Sequence, residues 1–199
     1  MGMTKALMDK LMLAKARSTR SDTIFCGVRF GNVMYSRGSI LPLFVEQMKN
    51  HQPLTVTHPD MTRFLTPLPI AVDLVLHTLN QGEPGDIFIR KSPAATVLDT
   101  ATAMVELFGS THGIETIGIR EGEKMHETLV TREELMLADE NENYYRIRNI
   151  ENTDYDKYFT KGKESQLPPE GYTSENTQRL SVEETKQLIG SLKEIKELL

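Results

Sequence analysis

Apolar residues recur at i, i+4 spacing through residues 4–17, where Leu7, Met8, Leu11, Met12 and Ala14 form one stripe beside Lys5, Asp9, Lys10 and Lys15. That pattern predicts an amphipathic helix. After a polar break at Ser18 to Asp22, the run Thr23 to Phe30 is continuously apolar enough for a short strand buried on both faces. Ile40 to Lys49 predicts a second helix, with Pro42 tolerated in its first turn. His51 to Thr57 is polar and β-branched and is expected to be a connector, while Asp60 to Phe64 leads into a helix from Ile70 to Leu79, ended by Asn80 and Gly82. Gly85 to Lys91 predicts another strand. Thr96 to Asp99 has capping-box spacing ahead of Ala101, Met104, Val105 and Phe108, with Gly109 placed to close that helix. Ile114 to Ile119 is expected to be a third strand, Arg120 to His126 a loop, and Thr131 to Glu134 a second capping box. Alternating strands and helices indicate an α/β fold with a parallel sheet.

Beyond Ala138 the pattern changes. Residues 139–143 are polar, and Tyr144 to Tyr172, rich in Tyr, Asp, Lys and Pro, holds neither period, which predicts an extended tail. A last helix is expected from the capping spacing Ser181 to Glu184 through Leu188, Ile189, Leu192 and Ile195 to the C-terminus. The expected division is therefore 1–138 and 139–199, with no internal repeat.

With 199 residues, 39% hydrophobic and 26% charged, the chain is long enough for a sizeable core and unlike a disordered or collagen-like sequence. A net charge of −5 supplies no overall basic field, so neither nucleic acid nor an anionic membrane is an expected partner. Anionic ligands must be held by a few placed cations. No apolar run reaches the roughly 18 residues of a membrane span. The single cysteine, Cys26, cannot form an internal disulfide and suits a reducing cytoplasm, as a small buried hydrophobe.

Two loops are candidates for binding chemistry. Gly31 to Ser39 follows a strand end, where parallel sheets place ligands, and its Asn32, Ser36, Arg37 and Ser39 offer amide, hydroxyl and guanidinium groups. Arg120-Glu121-Gly122-Glu123 combines a planar cation with carboxylates. Arg63 has two readings, a phosphate ligand or a partner of a carboxylate such as Asp60. Lys91 has a weaker version of the same ambiguity. The histidines show no metal-ligand spacing, and neither Gly-x-Ser-x-Gly nor a Walker loop occurs, which excludes metal, hydrolase and P-loop readings. No Gly-x-Gly-x-x-Gly follows an early strand, so the cradle for a dinucleotide diphosphate is missing. Since a helix begins at Met1 without a preceding strand, the chain is expected to be the C-terminal portion of something longer, or a shortened gene product.

These motifs resemble the extended short-chain dehydrogenase/reductase superfamily, and within it the nucleotide-sugar dehydratases and epimerases of bacterial capsule and O-antigen synthesis. The resemblance covers nearly the whole chain. It implies the distal part of a doubly wound Rossmann-like fold, with a substrate-binding lobe and a C-terminal extension. In that superfamily a helix carries Tyr-x-x-x-Lys; here the stretch runs from Met1 to Lys5, which gives Lys5 a role at the nicotinamide ribose and places Met1 at the tyrosine position. Met there is what the inverting UDP-N-acetylglucosamine 4,6-dehydratase subgroup looks like, although Met1 can equally be only a start residue. A thioether carries no proton, so the 4-hydroxyl proton must go to another group.

Arg29-Phe30-Gly31-Asn32-Val33 resembles the family's Arg-x-x-Asn-Val strand end, whose Asn reaches the substrate diphosphate. The family's Arg-x-Gly-Glu assigns the diphosphate to Arg120 and the ribose hydroxyls to Glu123, with Glu121 standing where Pro is common. The implied cofactor is NADP or NAD, and the implied substrate a UDP-sugar bound by a cytoplasmic homo-oligomer. The implied reaction is 4,6-dehydration of UDP-N-acetylglucosamine with inversion at C5: C4 is oxidised, the 4-keto group acidifies C5–H, water leaves from C6, and the hydride returns there. UDP-glucose 4-epimerisation is the rival, and a catalytically silent sugar-nucleotide-binding or oligomerisation module is a third reading.

Overall fold

A computed structural model describes residues 2–18, 22–136, 138–149 and 170–199. In chain order the elements are α1 (Gly2–Ser18), β1 (Gly27–Arg29), α2 (Ile40–Lys49), β2 (Leu54–Val56), β3 (Thr62–Phe64), α3 (Leu68–Gln81), β4 (Ile87–Arg90), β5 (Ala94–Thr96), α4 (Val97–Phe108), β6 (Ile114–Thr116), β7 (Thr128–Val130), α5 (Arg132–Leu135), β8 (Ala138–Glu140), β9 (Tyr144–Ile147), β10 (Tyr172–Thr173), α6 (Val182–Ser191) and α7 (Lys193–Lys196). They form two compact units, one of Met1–Arg29, Val72–Lys91 and Val130–Gly171, the other of Phe30–Ala71, Ser92–Leu129 and Tyr172–Leu199.

The first unit is built on a four-stranded sheet in the order β1-β4-β9-β8. β1 runs parallel to β4, with Gly27 opposite Ile87, and β9 runs antiparallel to β4, with Ile87 opposite Ile147. Ile87, Phe88 and Ile89 are buried because β4 has a partner strand on each side. Among the described residues β1 has one partner, and the expected strand over Thr23 to Phe30 shrinks to three half-buried residues.

The tail expected from Tyr144 onward is corrected at its start: Tyr144 to Ile147 is a strand of this sheet. Its side chains are held by partners distant in sequence, Arg146 by Asp86 at 2.8 Å and the Tyr144 ring stacked on His77 with centroids 4.5 Å apart. Residues 150–169 of that tail lie outside the described residues.

The stripe on α1 also departs from expectation. Leu7, Met8 and Leu11 are 59%, 65% and 61% exposed, and the helix turns its Asp9 and Met12 side to the sheet. These two residues are one turn apart on one face; Asp9 accepts from Arg29 at 2.9 Å, and Met12 packs on Gly27. Arg29 also grips Glu134 with both terminal nitrogens, at 2.7 and 2.9 Å. Burial works against both charges. The mutual hydrogen bonds outweigh it, raising the guanidinium and lowering the Glu134 carboxyl, which Thr131 N–H also favours. Burial, with the nearby Asp86 charge, pushes the Cys26 thiol up.

In the second unit, α2 buries Leu41, Phe44 and Val45 against Leu54 and Val56 of β2, Met104 of α4 and Ile189 and Ile195 of the C-terminal helices. β2 lies in the stretch expected to be a connector. It pairs in parallel with β6, and Gln47 clamps it, donating to Thr55 Oγ at 2.7 Å and accepting from Thr55 N at 3.1 Å. The expected strand Ile114 to Ile119 is thus only Ile114 to Thr116, the length that β2 can pair.

α4 is delimited as its capping residues dictate: Thr96 Oγ accepts from Asp99 N at 2.8 Å, and Gly109 takes the left-handed conformation, φ 61°. Of the expected capping boxes, Thr96 forms only the side-chain half, whereas at Thr131 and Ser181 the full reciprocal pair is present. The last helix is interrupted, because Leu192 is extended (ψ 135°) and buries its side chain between α6 and α7.

Candidate functional site

The second unit contains a cavity of about 520 Å³, bounded by the Gly31 to Ser39 loop, the start of α2, β3 and the Arg120 to Glu123 loop. That size suits a small organic ligand. The first loop is held by close backbone contact. A Cβ on Gly31 would stand 2.2 Å from Phe64 Cβ, so only glycine lets the chain pass β3 here. The strand direction is then kept by Thr66 N donating to Asn32 O at 3.1 Å and Met34 N donating to Thr66 O at 2.9 Å. Tyr35 follows in the left-handed region, φ 59°, a strained conformation for a bulky residue at the cavity wall. Ser39 is the N-cap of α2, but its buried hydroxyl makes no hydrogen bond among the described residues.

Arg63 projects from β3. Its Nη1 donates to Thr62 O at 2.8 Å and Met125 O at 3.2 Å, and the guanidinium lies 3.6 Å from Glu123 and 3.9 Å from Glu127. Among the described residues its carboxylate partners are these two acids and not Asp60. Glu123 also accepts from Arg120 N at 3.2 Å and from Thr57 Oγ at 3.4 Å, which closes its own loop. The Arg120 side chain is exposed at the cavity rim.

Asn32, Ser39, Arg63, Arg120 and Glu123 therefore line one cavity, whereas Ser36 and Arg37 are exposed on the loop outside its lining. Lys5 is exposed on α1 in the first unit. Met1 lies outside the described residues. Lys91 pairs with Glu140 at 2.6 Å, also in the first unit. Among the described residues no group of three or more His, Cys, Asp or Glu could hold a metal, and no helix is long and apolar enough to cross a membrane.

Sequence reasoning missed the support beneath this cavity. Ser174, fully buried, lies 2.7 Å from Thr62 Oγ and accepts from Glu127 N at 2.8 Å, while Ser174 N donates to Glu127 O at 2.8 Å. His126 Nδ1 is 2.8 Å from the same Thr62 hydroxyl. Glu127 directly follows the Arg120 to His126 loop and is legible as a neighbour of it. Nothing near Ser174 in sequence marks it, since its partner Thr62 is 112 residues away.

Residues 1–149 match the family described as "Polysaccharide biosynthesis protein", and residues 152–196 match "Polysaccharide biosynthesis protein C-terminal". The chain belongs to the polysaccharide biosynthesis protein family. Its relatives include a protein named UDP-glucose 4-epimerase from Rickettsia bellii, 48% identical over 201 residues that cover 100% of this chain and 59% of the relative. The chain thus spans about three-fifths of the length of the curated relatives it matches. Among solved structures, Pen from Bacillus thuringiensis is 34% identical with a TM-score of 0.80, covering 96% of this chain and 57% of that one.

A UDP-glucose 4-epimerase from Thermotoga maritima, solved with UDP-glucose, shares the fold at TM-score 0.52 and 17% identity, over 61% of this chain and 41% of that one. A dTDP-glucose 4,6-dehydratase from Streptomyces venezuelae, solved with NAD, does so at TM-score 0.55 and 18% identity, over 61% and 39%. The family members' α/β fold, the Rossmann type of these epimerases and dehydratases, is therefore this chain's fold, as expected.

Proposed function

We propose that the chain binds a UDP-sugar and serves its chemical modification for polysaccharide biosynthesis. The carrying observation is the cavity that gathers the Arg120 cation, the Glu123 carboxylate, the Asn32 amide and the unpartnered Ser39 hydroxyl around one ligand-sized space. Arg120, assisted by Arg37 from the flanking loop, suits the diphosphate, since a guanidinium offers paired donors at full charge. Glu123 suits ribose hydroxyls, because an ionised carboxylate only accepts. Ser39 adds a hydroxyl at the cavity, Ser36 stands on the flanking loop outside its lining, and Arg63 holds Glu123 in place by its charge.

NADP or NAD is implied by the resemblance, but the described residues do not form a dinucleotide cradle. The left-handed glycines, Gly38, Gly85, Gly109, Gly113, Gly118 and Gly122, do not combine into a Gly-x-Gly-x-x-Gly turn between a strand and a helix, and Lys5 stands alone on an exposed helical face. The roles of Lys5 and Met1 at a nicotinamide stay part of the proposal, and this chain's own residues act on the sugar nucleotide.

UDP-N-acetylglucosamine 4,6-dehydration with C5 inversion is the reaction we favour, supported by Met1 at the tyrosine position. UDP-glucose 4-epimerisation is the second reading, supported by the names of the 48% identical relatives. A substrate lobe followed by a C-terminal extension belongs to the same reading, supported by the separate C-terminal family match, whose start at residue 152 lies later than the division expected at 138.

Calorimetric titration of the chain with UDP-N-acetylglucosamine tests the proposal. Saturable binding is expected, weakened about tenfold or more by Arg120→Ala, the size of one charge-assisted hydrogen bond. NADP is expected not to saturate over the same range. Absence of UDP-sugar binding, or tight NADP binding with none of the sugar nucleotide, would refute it.

A further inference from the structure

The sheet of the first unit ends at β1, and its ladder fixes which backbone groups are left open there. Gly27 N donates to Asp86 O at 2.8 Å, and Gly27 and Arg29 pair with Ile87 and Ile89 of β4. Along a strand, alternate residues turn their backbone groups to opposite neighbours. Val28 therefore points its N–H and C=O away from β4, to the side where the described residues place no strand. An edge of this kind is a template for a further strand.

Both helices that cover this sheet carry exposed apolar residues toward the same side. On one face, α3 sets His77 against Phe88 of β4 and Tyr144 of β9, with ring centroids 5.3 and 4.5 Å apart, and Thr78 and Gly82 approach Cys26, which precedes β1. Side chains succeed one another around a helix at about 100° per residue. The surface of α3 thus turns from His77 over β4, through Thr78 and Gly82 beside β1, to Val75, Leu79 and Val72 past the edge, all three exposed and Leu79 the most, at 73%. Cys26 and Gly27 point to opposite faces, as successive strand residues do. On the Gly27 face, α1 packs Met12 on that glycine, holds Lys15 over the Phe25 ring and bonds Arg17 to Asn149, which lies against Gly85 ahead of β4. Arg17 marks the β4 side of this helix and Lys15 the β1 side, and exposed Met8 and Leu11 fall on the Lys15 side.

A strand edge flanked on both faces by apolar helix surface is a section through a three-layer α/β/α sandwich. Only a polypeptide of the same layering covers all of it, with a strand against Val28 and helices against Val75 and Leu79 on one face and Met8 and Leu11 on the other. A lone strand or helix leaves two layers open. Material of suitable length exists in the relatives: this chain covers 59% of the Rickettsia bellii protein, so two-fifths of that protein has no counterpart here. We propose that the β1 edge and its two flanking stripes are the docking face for a separate α/β polypeptide corresponding to that remainder, so that two chains complete one sheet. This proposal concerns assembly and stands apart from the UDP-sugar reading.

The test produces the full chain together with the unmatched two-fifths of the Rickettsia bellii relative as a separate polypeptide, so that each can fold on the other. Sedimentation velocity is expected to show a complex of one copy of each, and hydrogen exchange at the Val28 amide should slow at least about tenfold relative to the chain alone. Val28→Pro removes the outward N–H and leaves the Gly27 and Arg29 pairs to β4, a change that an edge strand tolerates. It should weaken the complex about tenfold or more, and Leu79→Asp should do likewise. Leu199→Asp, equally exposed but in the other unit, should change it less than about twofold. If Val28→Pro does not fold, Leu79→Asp and the exchange measurement decide. No complex on joint production, a complex that leaves Val28 exchange unchanged, or one indifferent to Leu79→Asp would overturn the proposal. So would a dimer of the chain alone with Val28 already protected, because a second copy then occupies the edge.

Discussion

Ser174→Ala removes one oxygen from the centre of the polar layer under the cavity. That oxygen lies 2.7 Å from Thr62 Oγ and 3.2 Å from Thr62 O, and accepts from Glu127 N at 2.8 Å. Thr62 Oγ keeps His126 Nδ1 at 2.8 Å, so its loss is one ordinary hydrogen bond, about 1 kcal/mol. Glu127 N–H loses its acceptor beside a fully buried side chain, a stranded donor that costs about 1–3 kcal/mol. The expected destabilisation is therefore about 2–4 kcal/mol. In a chain of this size that corresponds to a Tm lowered by about 4–16 °C. Urea unfolding followed by circular dichroism measures it, with Ser191→Ala as the control. Ser191 Oγ donates to Leu188 O at 2.7 Å on an exposed turn, and its removal should cost less than about 0.5 kcal/mol. If Ser174→Ala is as mild as that control, Ser174 does not hold Glu127 and Thr62, and the account of the layer is wrong.

Gly31→Ala should be among the most damaging single changes, because its new Cβ would stand 2.2 Å from Phe64 Cβ, which belongs to a fully buried ring. A loss of about 3 kcal/mol or more is expected by the same unfolding measurement, and an unchanged midpoint would contradict the close passage of the two segments. The Arg29–Glu134 pair predicts an acid-side effect. Because Glu134 has its folded pKa lowered, it stabilises the folded state above the unfolded carboxyl value of about 4.3, and the contribution fades as pH falls through the folded pKa. The stability difference between the natural chain and Arg29→Gln should thus be steady from pH 7 to 5 and shrink toward pH 3. A difference that grows on acidification would show the sign to be wrong.

Local chemistry makes much of this molecule legible in its sequence. The caps at Thr96, Thr131 and Ser181 and the left-handed Gly109 involve groups within four residues of one another, and the structure forms them as their spacing dictates. The two loops that meet at the cavity are equally visible, because Asn32, Arg120 and Glu123 are residue types suited to anions and hydroxyls on either side of glycines.

Tertiary structure decided what those residues face. Tyr144 to Ile147 is a strand only because β4 offers its edge and Asp86 and His77 receive Arg146 and Tyr144. α1 faces the sheet with Asp9 and Met12, Asp9 meeting Arg29 20 residues away, while Leu7, Met8 and Leu11 are exposed. Asn32 meets Glu127, and Thr62 meets Ser174, across separations that no local period encodes. Sequence determines which groups can donate, accept or carry charge. Their partners are chosen only when the folded backbone brings distant groups within about 3 Å, the reach of a hydrogen bond.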